Sequence, residues 1–188
     1  MPHSKKSGMV LTEALVAIAT LAIAVTALGT ITQNSIATTI LAKDYLVARG
    51  LAKEGEEAVK NIRYTNWMRN PADSTCWLRF NMSSACPSAP AQGHYYIPSV
   101  NNGYWSMADQ GTNAPNLSAV SSPFRLVTDG SAYYTSKTGA TNSKFYRSVF
   151  LSNLAGDNSS ATFNIQIQWQ NGAKTMSISR SITMYNYL

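Results

Sequence analysis

The chain has 188 residues, fifteen Lys and Arg against nine Asp and Glu, two cysteines and a formal net charge of +6. That length suits one soluble domain attached to a helix and excludes much more. Two cysteines and two histidines, only one of them beyond residue 8, are too few to complete a convincing metal site, so no metal and no other cofactor is expected.

The N-terminus carries the densest signal. Lys5 and Lys6 precede Ser7-Gly8, and from Met9 to Ile31 the residues are mostly Ala, Leu, Ile and Val with threonines as polar interruptions. Glu13 stands alone in this run, and the next charge is Lys43. About 20 helical residues at about 1.5 Å each cross a hydrocarbon core of about 30 Å, so this segment is long enough to span a bilayer. The lysines favour leaving its start in the cytoplasm and sending the rest outward. An ordinary secretory signal with cleavage near Ala22-Ile23-Ala24 is the competing reading. Glu13 argues against it, because a carboxylate in hydrocarbon costs roughly 2.5 to 3.5 kcal/mol on insertion scales and demands a partner. Cleavage after Gly8 would supply one, a free amine on Met9 four residues from Glu13.

Gly8-Met9-Val10-Leu11-Thr12-Glu13, followed by Ala14-Leu15-Val16-Ala17-Ile18, resembles the prepilin signature of type IV pilins and of type II secretion pseudopilins. The resemblance implies that a prepilin peptidase cuts after Gly8 and methylates Met9. It also implies that Glu13 guides docking against other pilin subunits in a helical filament. Residues 1–8 are then the leader, 9–31 the transmembrane and filament-core helix, 32–70 an amphipathic stem, and 71–188 a periplasmic or extracellular head. Two departures stand out: Met9 replaces the commoner phenylalanine, and Thr30 lies near where many major pilins have a proline, with Gly29 beside it.

Beyond the span, Leu41, Tyr45, Ala48, Ala52, Gly55, Val59 and Ile62 recur at steps of three and four and predict an apolar stripe that covers the head's sheet. Gly50 and Gly55 are unfavourable in a helix and are expected to permit close packing. Lys53, Glu54, Glu56, Glu57 and Lys60 fall on other faces. Neighbouring helix positions do not face one another, so these acids read as a solvated face rather than a catalytic or metal-binding cluster. Asn70-Pro71 ends the pattern.

Cys76 and Cys86 sit in a part of the chain expected outside the cytoplasm, where a disulfide persists. Trp77-Leu78-Arg79-Phe80 between them reads as a short strand. From Asn81 to Ser122 the chain is rich in Ser, Ala, Asn, Pro and Gly, which predicts irregular loops with a short strand around His94 to Ile97. Tyr95-Tyr96 and Tyr104-Trp105 are read as anchors to the sheet, with a binding platform for a surface glycan or another subunit as the alternative.

The last third is β. Phe124 to Val127, Asp129-Gly130 and Ala132 to Tyr134 form a hairpin signal, and Phe145 to Leu151 supplies another strand. Phe163, Ile165, Ile167 and Trp169 alternate with polar residues up to Asn171-Gly172, read as a type I′ turn. That turn sets Ile167 against Met176, Ile165 against Ile178 and Phe163 against Arg180, a charge in the apolar register.

The fold class is therefore α+β: a long N-terminal helix packed on a C-terminal antiparallel sheet, an order similar to the pilin fold. Lys53-Glu54-Gly55 through Asn61-Ile62-Arg63, Asn66-Trp67 and the end Met184-Tyr185-Asn186-Tyr187-Leu188 resemble minor pilins of the type IV pilus modification class. A major pilin or a secretion pseudopilin stands as the alternative. No nucleophile elbow, phosphate loop or ligand spacing gathers Asp109, Asp129, Asp157 or His94 into an active site, so no enzyme is expected. Without residues 1–8, thirteen basic residues face nine acidic ones; Met9 to Thr75 carries six of each sign, so the resulting excess of +4 lies in the head beyond Thr75. That excess suits a solvated surface, or a DNA-uptake or adhesive module displayed by the same filament.

Overall fold

The computed structural model describes residues 6–69, 76–80, 90–101, 103–119, 122–134 and 140–186. One helix, α1 (Lys6–Arg69), precedes seven strands: β1 (Tyr95–Asn101), β2 (Tyr104–Asp109), β3 (Arg125–Thr128), β4 (Tyr133–Tyr134), β5 (Thr141–Leu154), β6 (Ser160–Asn171) and β7 (Lys174–Tyr185). The chain divides into two compact units, residues 1–44 and 45–188.

In the first unit every residue from Met9 to Ile40 is exposed. The helix that holds them is long and apolar enough to cross a membrane. Its threonines do not leave free hydroxyls: Thr20 Oγ1 donates to Ala17 O at 2.9 Å, Thr26 Oγ1 to Ile23 O at 2.9 Å and Thr30 Oγ1 to Ala27 O at 2.8 Å. A hydroxyl closed onto its own helix needs no water, which suits it to hydrocarbon. α1 runs through Gly29 and Thr30 without a break.

In the second unit the remainder of α1 lies on an antiparallel sheet, the α+β arrangement expected. The stripe is buried as its spacing requires: Ala48, Ala52, Gly55, Val59 and Ile62 all face inward, joined by Leu51 and Ala58. They meet Phe145, Val149, Leu151, Phe163, Ile165, Ile167 and Trp169 from β5 and β6. Tyr45 stands edge-on to Trp169 with ring centroids 5.2 Å apart. Gly55 is packed directly against β6, since a Cβ added there would lie 2.8 Å from the Ile165 side chain at Cγ2. Gly50 differs from expectation: nothing lies within 4 Å of its added Cβ, so it permits no close contact.

β5 organises the sheet. β6 pairs along one side of it and β7 pairs with β6; the other side is shared by β1 near Tyr95 and Tyr96 and by β3 from Arg125 to Thr128. β2 and β4 extend β1 and β3. A smaller cluster of Ile97, Phe124 and Tyr146, with Tyr95 and Leu117 against it, is separate from the main core.

Three local expectations change. Residues 77–80 form turn and irregular structure, not a strand. Their carbonyls are taken by the buried side chain of Asn66, whose Nδ2 donates to Trp77 O at 3.2 Å and Arg79 O at 2.9 Å. The region from 81 to 122 holds a hairpin rather than one short strand, because Asn101 pairs with Tyr104 across a two-residue connection. Gly103 supplies its left-handed residue at φ 80°, and Asn102 lies outside the described residues.

The β6–β7 register is the third change. Asn171 pairs with Lys174, so the loop is Gly172-Ala173; Trp169 faces Met176, Ile167 faces Ile178, Ile165 faces Arg180 and Phe163 faces Ile182. Gly172 alone has positive φ (60°), which matches a type II′ turn with glycine first instead of type I′ with two left-handed residues. The shift of two positions keeps every side chain on its predicted face.

The two stem glycines should respond oppositely to alanine. Gly50→Ala should stabilise the unfolding transition of the detergent-solubilised chain by about 1 kcal/mol through helix propensity. Gly55→Ala should destabilise it by about 1–3 kcal/mol through overpacking, a loss removed in an Ile165→Ala background. Equal effects at both positions would contradict the close approach.

Candidate functional site

The residues singled out near the N-terminus fall on one helix. Met9 and Glu13 are separated by about one turn and lie on a common face with Thr12, Val16 and Ala17. Met9 is 77% exposed, and Glu13 is likewise open. No salt bridge reaches Glu13 among the described residues. Gly8 lies within α1, while Lys5 lies outside the described residues. The local chemistry is thus a carboxylate on an apolar surface, one turn from the residue that cleavage after Gly8 would make the N-terminus.

Cys76 is buried and disulfide-bonded. Cys86, the only other cysteine in the sequence, lies outside the described residues. Trp77 beside it is fixed by its Nε1, which donates to Asn158 O at 2.9 Å.

The stem carboxylates are more than a solvated face. Glu54 Oε1 lies 3.0 Å from Nη1 of Arg147, whose side chain is 2% exposed on β5. Nη1 and Nε of Arg147 lack an aligned hydrogen-bond acceptor, so this contact is an ion pair held by proximity. Glu56 Oε2 accepts from Arg180 Nε on β7 at 2.7 Å, and Glu56 Oε1 lies 2.8 Å from Lys60 Nζ. Glu57 and Lys53 remain exposed as expected. Gly55 touches Ile165 of β6 between these two pairs, so three successive stem residues address three neighbouring strands. The signal for this seam was present: Arg147 interrupts the apolar face of Phe145, Val149 and Leu151, as Arg180 interrupts that of β7.

The Glu56 pKa is lowered. The Lys60 hydrogen bond is the largest influence; burial works the other way, and Arg180 adds to the lowering.

The head's acids build turns. Asp129 Oδ1 accepts from the Ser131 and Ala132 N–H groups, and Asp157 Oδ1 from that of Ser159. Asp109 bonds the Gly111 N–H and approaches His94 Nδ1 at 2.9 Å. Burial pushes the Asp109 carboxyl up, but the His94 and Gly111 hydrogen bonds prevail and its pKa is lowered. Tyr96 is pushed up to about 12 by burial and then by the Asp109 charge. No group of three or more His, Cys, Asp or Glu is placed to hold a metal among the described residues. Tyr95, Tyr96 and Trp105 pack on the hydrophobic clusters; Tyr104 is 41% exposed with the Arg69 guanidinium 4.3 Å from its ring centre.

No protein-family model, no curated protein and no solved structure matches this chain.

Because the Glu56 pKa lies below its ordinary 4.5, the carboxylate's contribution is complete above that value and is lost as pH falls through the lowered folded-state value. Glu56→Gln should therefore cost about 1–2 kcal/mol of head stability at neutral pH. Wild type and variant should converge in acid unfolding once both values are passed. A difference that persists unchanged into strong acid would refute this assignment.

Proposed function

We propose that this chain is a structural subunit of a type IV pilus or related filament. In this reading it is cleaved after Gly8 and methylated at Met9 by a prepilin peptidase. It is held in the cytoplasmic membrane with its head outside, then moved into the filament and to the cell surface. The observation that carries the reading is the run from Met9 to Ile40: every residue is exposed, and its only charge is Glu13. At about 1.5 Å per residue this run is about 48 Å long, more than a hydrocarbon core of about 30 Å. Lipid can cover most of it in the membrane, and helices of other copies can cover it afterwards.

Glu13 then acts as a register device. Opposite charges attract strongly in an interior of low dielectric, while a lone charge there is stranded. An arriving helix reaches its lowest energy when its Glu13 meets the Met9 amine of a neighbour, so pairing selects one axial position. A minor pilin is preferred within the class because of the stem pattern around Lys53-Glu54-Gly55 and the tyrosine-rich end, with a major pilin or pseudopilin next.

A DNA-uptake role gains no specific support. Arg147 and Arg180 belong to the head's positive excess, yet both face stem glutamates.

Glu13→Ala should lose incorporation into filaments while still inserting in the membrane and being cleaved. Stranding the partner amine costs about 3–5 kcal/mol, or about two to four orders of magnitude in the incorporation equilibrium. Immunoblots of sheared filaments and membranes read this directly; wild-type incorporation would remove the role of Glu13.

A further inference from the structure

We propose that the free edge of β7 pairs with β7 of a second copy, antiparallel and centred on Ser179. The phase of the ladder comes from Asn186, whose N–H donates to Ser159 O at 2.7 Å. In a regular antiparallel pair, alternate residues exchange both backbone bonds with the partner strand. Met176, Ile178, Arg180, Ile182 and Met184 therefore bond β6, and Thr175, Ser177, Ser179, Ser181 and Thr183 turn their N–H and C=O groups outward. No turn, loop or cap backbone bond reaches those five among the described residues. The far end is closed, because Arg63 Nε donates to Tyr185 O at 3.0 Å.

Among the described residues, nothing blunts this edge. Between Thr175 and Thr183 there is no proline and no register shift, and the only charge, Arg180, is tied to Glu56 at 2.7 Å. Proteins ordinarily guard a long edge with prolines, bulges or free charges, since an open row of donors and acceptors templates another strand.

The sequence of the edge names its partner. Thr175-Met176-Ser177-Ile178-Ser179-Arg180-Ser181-Ile182-Thr183 is nearly the same read in either direction about Ser179. In a two-fold antiparallel pair, Thr175 faces Thr183, Ser177 faces Ser181 and Met176 faces Ile182. Only Ile178 and Arg180 are unlike, and the arginine's aliphatic stem can lie over isoleucine while its guanidinium stays with Glu56. Every outward backbone group finds a counterpart. The contact is isologous and closes at two, so it joins heads laterally and does not propagate a filament.

The test uses the full chain in detergent; no cysteine among the described residues is free. Ser179→Cys places two thiols across the axis at an Cα separation of about 5.5 Å, within reach of a disulfide. It should form a covalent dimer on mild oxidation. Thr175→Cys alone should not, since its copies lie about 27 Å apart at about 3.4 Å per residue, but mixed with Thr183→Cys it should. Native mass spectrometry should show a wild-type dimer, and Ser179→Pro, which removes an outward N–H and no β6 bond, should abolish it. Equal cross-linking at all positions, none at Ser179→Cys, or a dimer that survives Ser179→Pro would overturn the pairing; the last result is what association through the apolar helix would give.

Discussion

The absence of a side chain at residue 55 sets how α1 meets the sheet. Ile165 occupies the space a Cβ would need, so the helix can seat at this depth only with glycine there. With the backbone seated, Glu54 and Glu56 reach opposite ways across β6, one to Arg147 on β5 and one to Arg180 on β7. Apolar burial of Ala48, Ala52, Val59 and Ile62 supplies attraction without direction. The glycine contact and the two charged pairs add direction, because sliding α1 along β6 would strand a buried guanidinium.

Much of this was legible in the sequence, for reasons that differ by element. The stem stripe was readable because its steps of three and four admit one buried face. The alternation from Phe163 to Trp169 was readable because a period of two does the same for a strand. The last hairpin was harder: Asn171-Gly172-Ala173 offers glycine to either of two turn types, and only a positive φ at Gly172 without one at Ala173 selects between them. Asn102-Gly103 carried a hairpin signal too, but the Ser, Asn and Pro residues around it resembled loop. Trp77 to Phe80 looked like a strand because apolar side chains dominate it, whereas its carbonyls are met by an amide on α1, eleven residues upstream of Trp77. Interactions that join residues as distant as Glu56 and Arg180, 124 positions apart, leave no local pattern beyond a charge in an apolar register.

At the other end of α1 the same logic is reversed. From Met9 to Ile40 every residue is exposed, and the threonine hydroxyls turn back onto the helix backbone. Such a surface is suited to lipid and to other helices of its kind. Glu13 is the group neither environment accommodates alone, and the amine created at Met9 by cleavage after Gly8 is the counter-charge that the filament reading assigns to it.

That claim is tested most directly by the mass of the N-terminal peptide from protein recovered from cells. The account predicts a chain that begins at Met9 and carries one added methyl group on its terminal nitrogen. Protein that assembles and functions with residues 1–8 still attached would contradict it.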